Sequence, residues 1–239
     1  RVSALLYGVA LQWKLDIRSK TLLITCYVVP LLFFALMGGI FTSIMPDAKN
    51  TLIQSMTVMG VSMGALIGLP PSLVEIYGSD SKKIYKANGV PLYLGLVSMF
   101  LSAFIHLSIM CAILFLIAPV AFHAALPVNL PLFLGSLALF IAVSCSIGCV
   151  LGLIVKNQAK LTMISQVVFL PSIMLSGIMF PSEMLPKPLE YAGRIFPAAW
   201  GYKAMTADRF SIGSLWPMAM IAFAAVILCG IRLKRLESE

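Results

Sequence analysis

The sequence predicts an all-α membrane protein: six transmembrane helices, an N-terminal interfacial helix before them, and short re-entrant helices between the fifth and sixth spans. Three observations predict it. Of 239 residues, 60% are hydrophobic and only 11% are charged, with mean hydropathy +1.00; soluble domains average about 45–50% apolar and about 25% charged. The charges gather in short patches that separate uncharged runs of about 20 residues or more, the length a bilayer demands of a helix. Finally, the last two runs are parted by a Pro-studded stretch, 181–209, in which no piece is long enough to cross.

Residues 1–20 place Val2, Leu5, Leu6, Val9, Trp13 and Ile17 at helical spacing, with Arg1, Lys14, Arg18 and Lys20 mostly off that stripe. This pattern predicts a helix lying on the membrane surface rather than a cleaved signal peptide. The first span falls in 21–45, where Pro30 disturbs regular helical bonding. The second falls in 51–74 and carries Gly60, Gly64 and Gly68 at four-residue spacing. Small residues so spaced let helix backbones approach closely in lipid. Both packing within the subunit and a seam between subunits fit them.

The polar stretch 75–90 includes Glu75, Lys82, Lys83, Tyr85 and Lys86. It reads either as a solvated connector or as a short helix that docks on a cytoplasmic partner. Residues 87–155 then run without a formal charge, too long for one span. Pro119, Pro127, Asn129 and Pro131 divide them into a third span, 91–118, and a fourth, 131–155. The fourth carries Gly148 and Gly152 among several serines, a composition suited to packing against other helices. His106 lies inside the third span, where an ionisable group is either functional or hydrogen-bonded to a neighbouring helix. The fifth span is 161–180 and the sixth 210–231.

On this six-span plan, twelve basic residues share the side of the termini: Arg1, Lys14, Arg18, Lys20, Lys82, Lys83, Lys86, Lys156, Lys160, Arg232, Lys234 and Arg235. Five lie opposite: Lys49, Lys187, Arg194, Lys203 and Arg209. The excess of Lys and Arg on cytoplasmic loops places both termini in the cytoplasm of a cell membrane and the broken segment 181–209 outside. It also explains the net charge of +8 without a nucleic-acid partner.

The chemistry that the residues lack narrows the function. No G-x-x-x-x-G-K-[ST] loop, H-E-x-x-H or G-x-S-x-G pattern occurs. The chain is therefore expected to have no catalytic residues, no metal and no cofactor of its own. Cys26, Cys111, Cys145, Cys149 and Cys229 all fall in uncharged runs. The Cys145/Cys149 pair has four-residue spacing but no nearby His or carboxylate to complete a metal site, which favours packing. The predicted spans also hold no Asp, Glu, Lys or Arg, groups on which ion-coupled carriers rely.

One stretch carries a resemblance. Leu175–Met205 reads LSGIMFPSEMLPKPLEYAGRIFPAAWGYKAM, and it is similar to the permease subunit of type-2 ABC exporters. In that family the fifth span ends in Ser and Gly, here Ser176 and Gly177. A Pro follows (Pro181), then a Leu-Pro pair (Leu185 and Pro186), an amphipathic stretch (188–195), and a second Pro before the last helix (Pro197). Stretch 75–91 resembles the family's coupling segment, where an acid closes the second span and a Pro opens the third, here Glu75 and Pro91, with Ile76 where Arg is frequent. The resemblance implies two six-span subunits, as homodimer or heterodimer, in a lipid bilayer. It also implies two separate cytoplasmic ABC ATPase subunits carrying ATP and Mg, docked on the N-terminal helix and on 75–90. Ser176, Gly177, Pro181, Leu185, Pro186 and Pro197 would shape an extracytoplasmic gate. With spans free of charge, the expected cargo is hydrophobic or amphipathic: a drug, a lipid-like molecule or a peptide. Two other classes stay open on the residues alone, a self-contained carrier or channel and a membrane assembly factor without transport.

Overall fold

A computed structural model describes residues 2–78, 91–179 and 184–238. Among them are helices and turns and no strand. The helices are α1 (Val2–Arg18), α2 (Ile24–Ile44, entered through the turn Lys20–Leu23), α3 (Leu52–Tyr77), α4 (Leu92–Phe122), α5 (Leu130–Ile154), α6 (Gln158–Met174), α7 (Lys187–Gly193), α8 (Pro197–Thr206) and α9 (Ile212–Ser238). Five of these, α2, α3, α4, α5 and α9, are long and apolar enough to cross a membrane. The sequence predicts six spans. The remaining one maps to α6, whose 17 residues reach about 25 Å, short of a hydrocarbon core of about 30 Å. Its helix starts three residues before the predicted 161 and ends at Met174, with Pro171 in its last turn.

Two spans solve their proline problem in the same way. A proline has no N–H to give, and its ring collides with the carbonyl four residues back. Ahead of Pro30 in α2, residues Ile24–Val28 form a wide π turn, closed by Val29 N–H donating to Ile24 O. Ahead of Pro70 and Pro71 in α3, Gly64–Gly68 form a second π turn, closed by Leu69 N–H donating to Gly64 O. The extra residue in each turn shifts the bonding from i−4 to i−5 and moves the threatened carbonyls aside. The two turns face each other: a Cβ on Gly68 would lie 3.1 Å from Cys26 Sγ.

Helix starts are signalled locally. Asn129 accepts from Leu132 N at α5 and Asn157 from Ala159 N at 2.9 Å at α6, as capping residues do. Helix α4 continues through Pro119 and stops at His123, which takes the left-handed conformation (φ 53°) that closes many helices.

Helix α3 is the centre of the bundle. Of its apolar window, 89% is buried, against 22% for α2 and for α9. It is also the least apolar of the five, as expected when polar side chains such as Gln54, Thr57 and Ser62 are kept from lipid. Glycines set its distance from its neighbours. Cβ atoms on Gly60 and Gly64 would fall 2.7 Å from Met110 Cε and 2.3 Å from Leu107 Cδ2 of α4. From the other side, a Cβ on Gly148 would fall 2.2 Å from Ala65 O, and one on Gly152 2.6 Å from Leu73 Cβ. All five predicted packing glycines thus sit against helices of the same chain.

Candidate functional site

The broken segment after α6 builds a pocket from short pieces. The chain leaves α6 in a turn, Leu175–Gly177. Buried Ser176 donates through Oγ to Ile173 O (2.6 Å), and Gly177 adopts φ 88°, a region that side chains disfavour. Helix α7 packs back on this turn so tightly that a Cβ on Gly193 would lie 2.4 Å from Leu175 O. Pro186 caps α7 and is exposed; Leu185 beside it is half-buried. Pro197 is the first residue of α8, the position where its missing N–H is least costly, and it is buried.

Helix α8 spans ten residues, about 15 Å, half of what a crossing needs. It packs against α5, α3 and α9, with Ala198 and Ala204 buried and Gly201 against the ring of Phe140. Trp200 Nε1 donates to Arg194 O (2.7 Å) and ties α8 to the end of α7. Arg194 bonds Glu190 (2.8 Å) and lies over Tyr191; the Lys203 ammonium lies 5.8 Å from the centre of the Trp200 ring.

Between these pieces opens a cavity of about 460 Å³, lined by Ser176, Gly177, Glu190, Arg194, Trp200 and Lys203 among others. A smaller one, about 200 Å³, lies on the far side of Gly177 and Tyr202 and reaches Phe41, Asp47, Leu52 and Ser55. The Leu52 end of α3 is therefore at the broken segment. Exposed Glu75 is 23 residues further on, about 34 Å along the axis. At that far end Tyr77 donates to Leu92 O (2.7 Å), a Cβ on Gly78 would lie 3.3 Å from Lys156 O, and Arg232 donates to Leu153 O (3.2 Å). The ends of α3, α4, α5 and α9 meet there.

The structure thus brings Ser176 and Gly177 into one pocket, with Leu185, Pro186 and Pro197 in the flanking pieces, and places Glu75 at the other end of the bundle. Pro181, Lys82, Lys83, Tyr85 and Lys86 lie outside the described residues. Sequence reasoning passes over Arg194, Trp200, Tyr202 and Lys203 as pocket residues. Their signal is present, since Glu190/Arg194 and Trp200/Lys203 are spaced to meet on one helical face. It also passes over Asp16, which falls beside the apolar stripe of α1 and is buried. The five cysteines are free and buried, and among the described residues no group of three His, Cys, Asp or Glu side chains could hold a metal ion.

Apolar spans interrupted near one end by short, pocket-lining helices are the architecture of a multi-pass membrane protein. The model of the ABC-2 type transporter family matches residues 4–210, and the chain belongs to that family. It is a multi-pass membrane protein of the permease type. Comparison with curated proteins finds no match.

Proposed function

We propose that this chain is the permease subunit of an ATP-driven exporter. Two cytoplasmic ABC ATPase subunits, carrying ATP and Mg, dock on α1 and on residues 75–90. A second permease subunit completes the pathway, and a hydrophobic or amphipathic cargo leaves past Ser176–Pro197 on the extracytoplasmic side. The observation that carries this reading is the polarity of α3. One end meets the pocket of the broken segment; the other, about 34 Å away, carries Glu75 among helix ends rich in Lys and Arg. A helix enclosed by protein along this length moves as a unit with what pushes it. Nucleotide binding then biases two arrangements of the bundle through their difference in affinity for the motor.

The test is copurification from the native membrane. A nucleotide-hydrolysing partner should come with the intact chain, and Lys82→Glu/Lys83→Glu/Lys86→Glu should lose that partner while still inserting. A chain that moves solute in liposomes without nucleotide, or a triple variant with unchanged partner recovery and hydrolysis, would overturn the reading.

A further inference from the structure

Asp16 is the only Asp, Glu, Lys or Arg among the described residues that is buried, at 6% exposure. It sits in α1, a helix whose other charges, Lys14 and Arg18, are exposed. One carboxylate oxygen accepts from Gln12 Nε2 (2.8 Å); the other accepts from Ser102 Oγ of α4. One turn along α4, the ring of His106 is stacked on Trp13 of α1, centroids 4.1 Å apart and planes 10° from parallel. One turn in the other direction, Ser98 abuts Gly8 of α1. Three successive turns of α4 therefore hold three points on α1.

The contact continues inward. Tyr27, in the π turn of α2, bonds His106 Nδ1 through its hydroxyl (2.7 Å). Cys26 beside it fills the groove left by Gly64 and Gly68 in the π turn of α3. His106 thus touches α1 on one ring face and α2 on one ring nitrogen. A surface helix held to lipid by apolar area alone slides at little cost. Burying a carboxylate is costly unless its hydrogen bonds are made, so a slide of α1 that kept Asp16 buried but broke its bond to Ser102 would be penalised.

We infer that Asp16, Trp13, Ser102 and His106 are positioning residues that clamp α1 to α4, so that the two move as one rigid body through the transport cycle. Its link to a motor rests on the exporter reading; the clamp itself does not. With α1 clamped, a displacement imposed at the membrane surface enters α4 directly and meets the paired π turns through His106.

The test is a covalent tie at the Gly8 contact. The Cβ atoms of Gly8→Cys and Ser98→Cys would be 3.9 Å apart, within the range of about 3.5–4.5 Å that a disulfide accepts. In the purified complex with its copurifying ATPase, this pair should cross-link equally without nucleotide and after vanadate trapping with ATP. Cross-linked complex should hydrolyse ATP within twofold of the reduced form. Asp16→Ala should raise amide hydrogen exchange across α1 by roughly tenfold to a hundredfold, the weight of a hydrogen bond to a charged group. Asp16→Asn, which keeps an acceptor for Ser102 but loses the charge, should fall between the parent and Asp16→Ala. A tenfold drop in cross-linking on trapping, inhibition by the cross-link, or unchanged α1 exchange in Asp16→Ala would overturn the clamp. If no ATPase copurifies but α1 loosens in Asp16→Ala and less in Asp16→Asn, the clamp stands and the exporter reading falls.

Discussion

Substituting Gly148 by alanine tests whether the bundle is built on backbone contact between α3 and α5. The added methyl would stand 2.2 Å from Ala65 O and 3.2 Å from Ala65 C. Both are backbone atoms in mid-helix, so no side chain can swing away. Real Cβ contacts stay beyond 3.0 Å, and α3 and α5 must part by about 0.8 Å or more. Overpacking of this kind costs typically about 1–3 kcal/mol, and a backbone obstacle puts Gly148→Ala at the upper end. Removing a helical glycine returns about 0.5–1 kcal/mol, leaving a net loss of about 2 kcal/mol. Gly135, in the same helix, is the control: nothing lies within 4 Å of its added methyl, so Gly135→Ala keeps the whole gain. At about 2–4 °C per kcal/mol for a chain of this size, Gly148→Ala should melt about 4–8 °C lower. Gly135→Ala should melt about 1–4 °C higher. All five cysteines are free and buried, so a thiol-reactive dye reports unfolding in detergent. Equal shifts in the two variants, or a Gly148→Ala protein at or above the parent, would refute the packing argument.

Other outcomes follow from single contacts. The hydroxyl of Ser172 is buried with no partner among the described residues; an unpaired buried group costs about 1–3 kcal/mol, so Ser172→Ala should hold or raise the melting temperature. The Arg194–Glu190 pair is exposed and exposed pairs are worth little, about 0.3–0.5 kcal/mol at this spacing, so Arg194→Ala should change the melting temperature by under about 2 °C. Trp200→Phe removes the bond to Arg194 O, worth about 1 kcal/mol, and should raise proteolysis between α7 and α8 several-fold. Pro186→Ala with Pro197→Ala loosens the first turn of each short helix. The pair should reduce nucleotide-dependent export in proteoliposomes severalfold with insertion unchanged, and intact export would refute a gating role.

The helices were legible because lipid imposes a one-dimensional rule. Charge-free runs bounded by Pro, Gly and Asn give α5 to within a residue: Leu130–Ile154 against 131–155. Where the rule is silent, boundaries drift. Pro119 looks like a stop, yet α4 passes through it to Phe122 and ends only at the left-handed His123. The predicted fifth span continues apolar beyond residue 174, but its helix ends at Met174, where the chain turns through Leu175–Gly177. Composition does not encode that turn; the tight seating of Gly193 against Leu175 does. The glycine stripes were visible, but which helix each one meets was not. The seat of Asp16 was the least visible. Its partner Ser102 is 86 residues away, and an acid on a basic amphipathic helix reads as solvated until the third span is placed beside it.

The enclosure of α3 has a consequence for how the chain is made. A segment with Gln54, Ser55, Thr57 and Ser62 sheltered from solvent is poorly matched to bare lipid and well matched to protein walls. One of those walls, α5, is synthesised about 80 residues later than α3. During biogenesis α3 must be held at the insertion machinery, or against α2 and α4, until the glycines of α5 arrive to close it in. A nascent chain interrupted before residue 148 would leave α3 without the wall of α5, a target for membrane quality control.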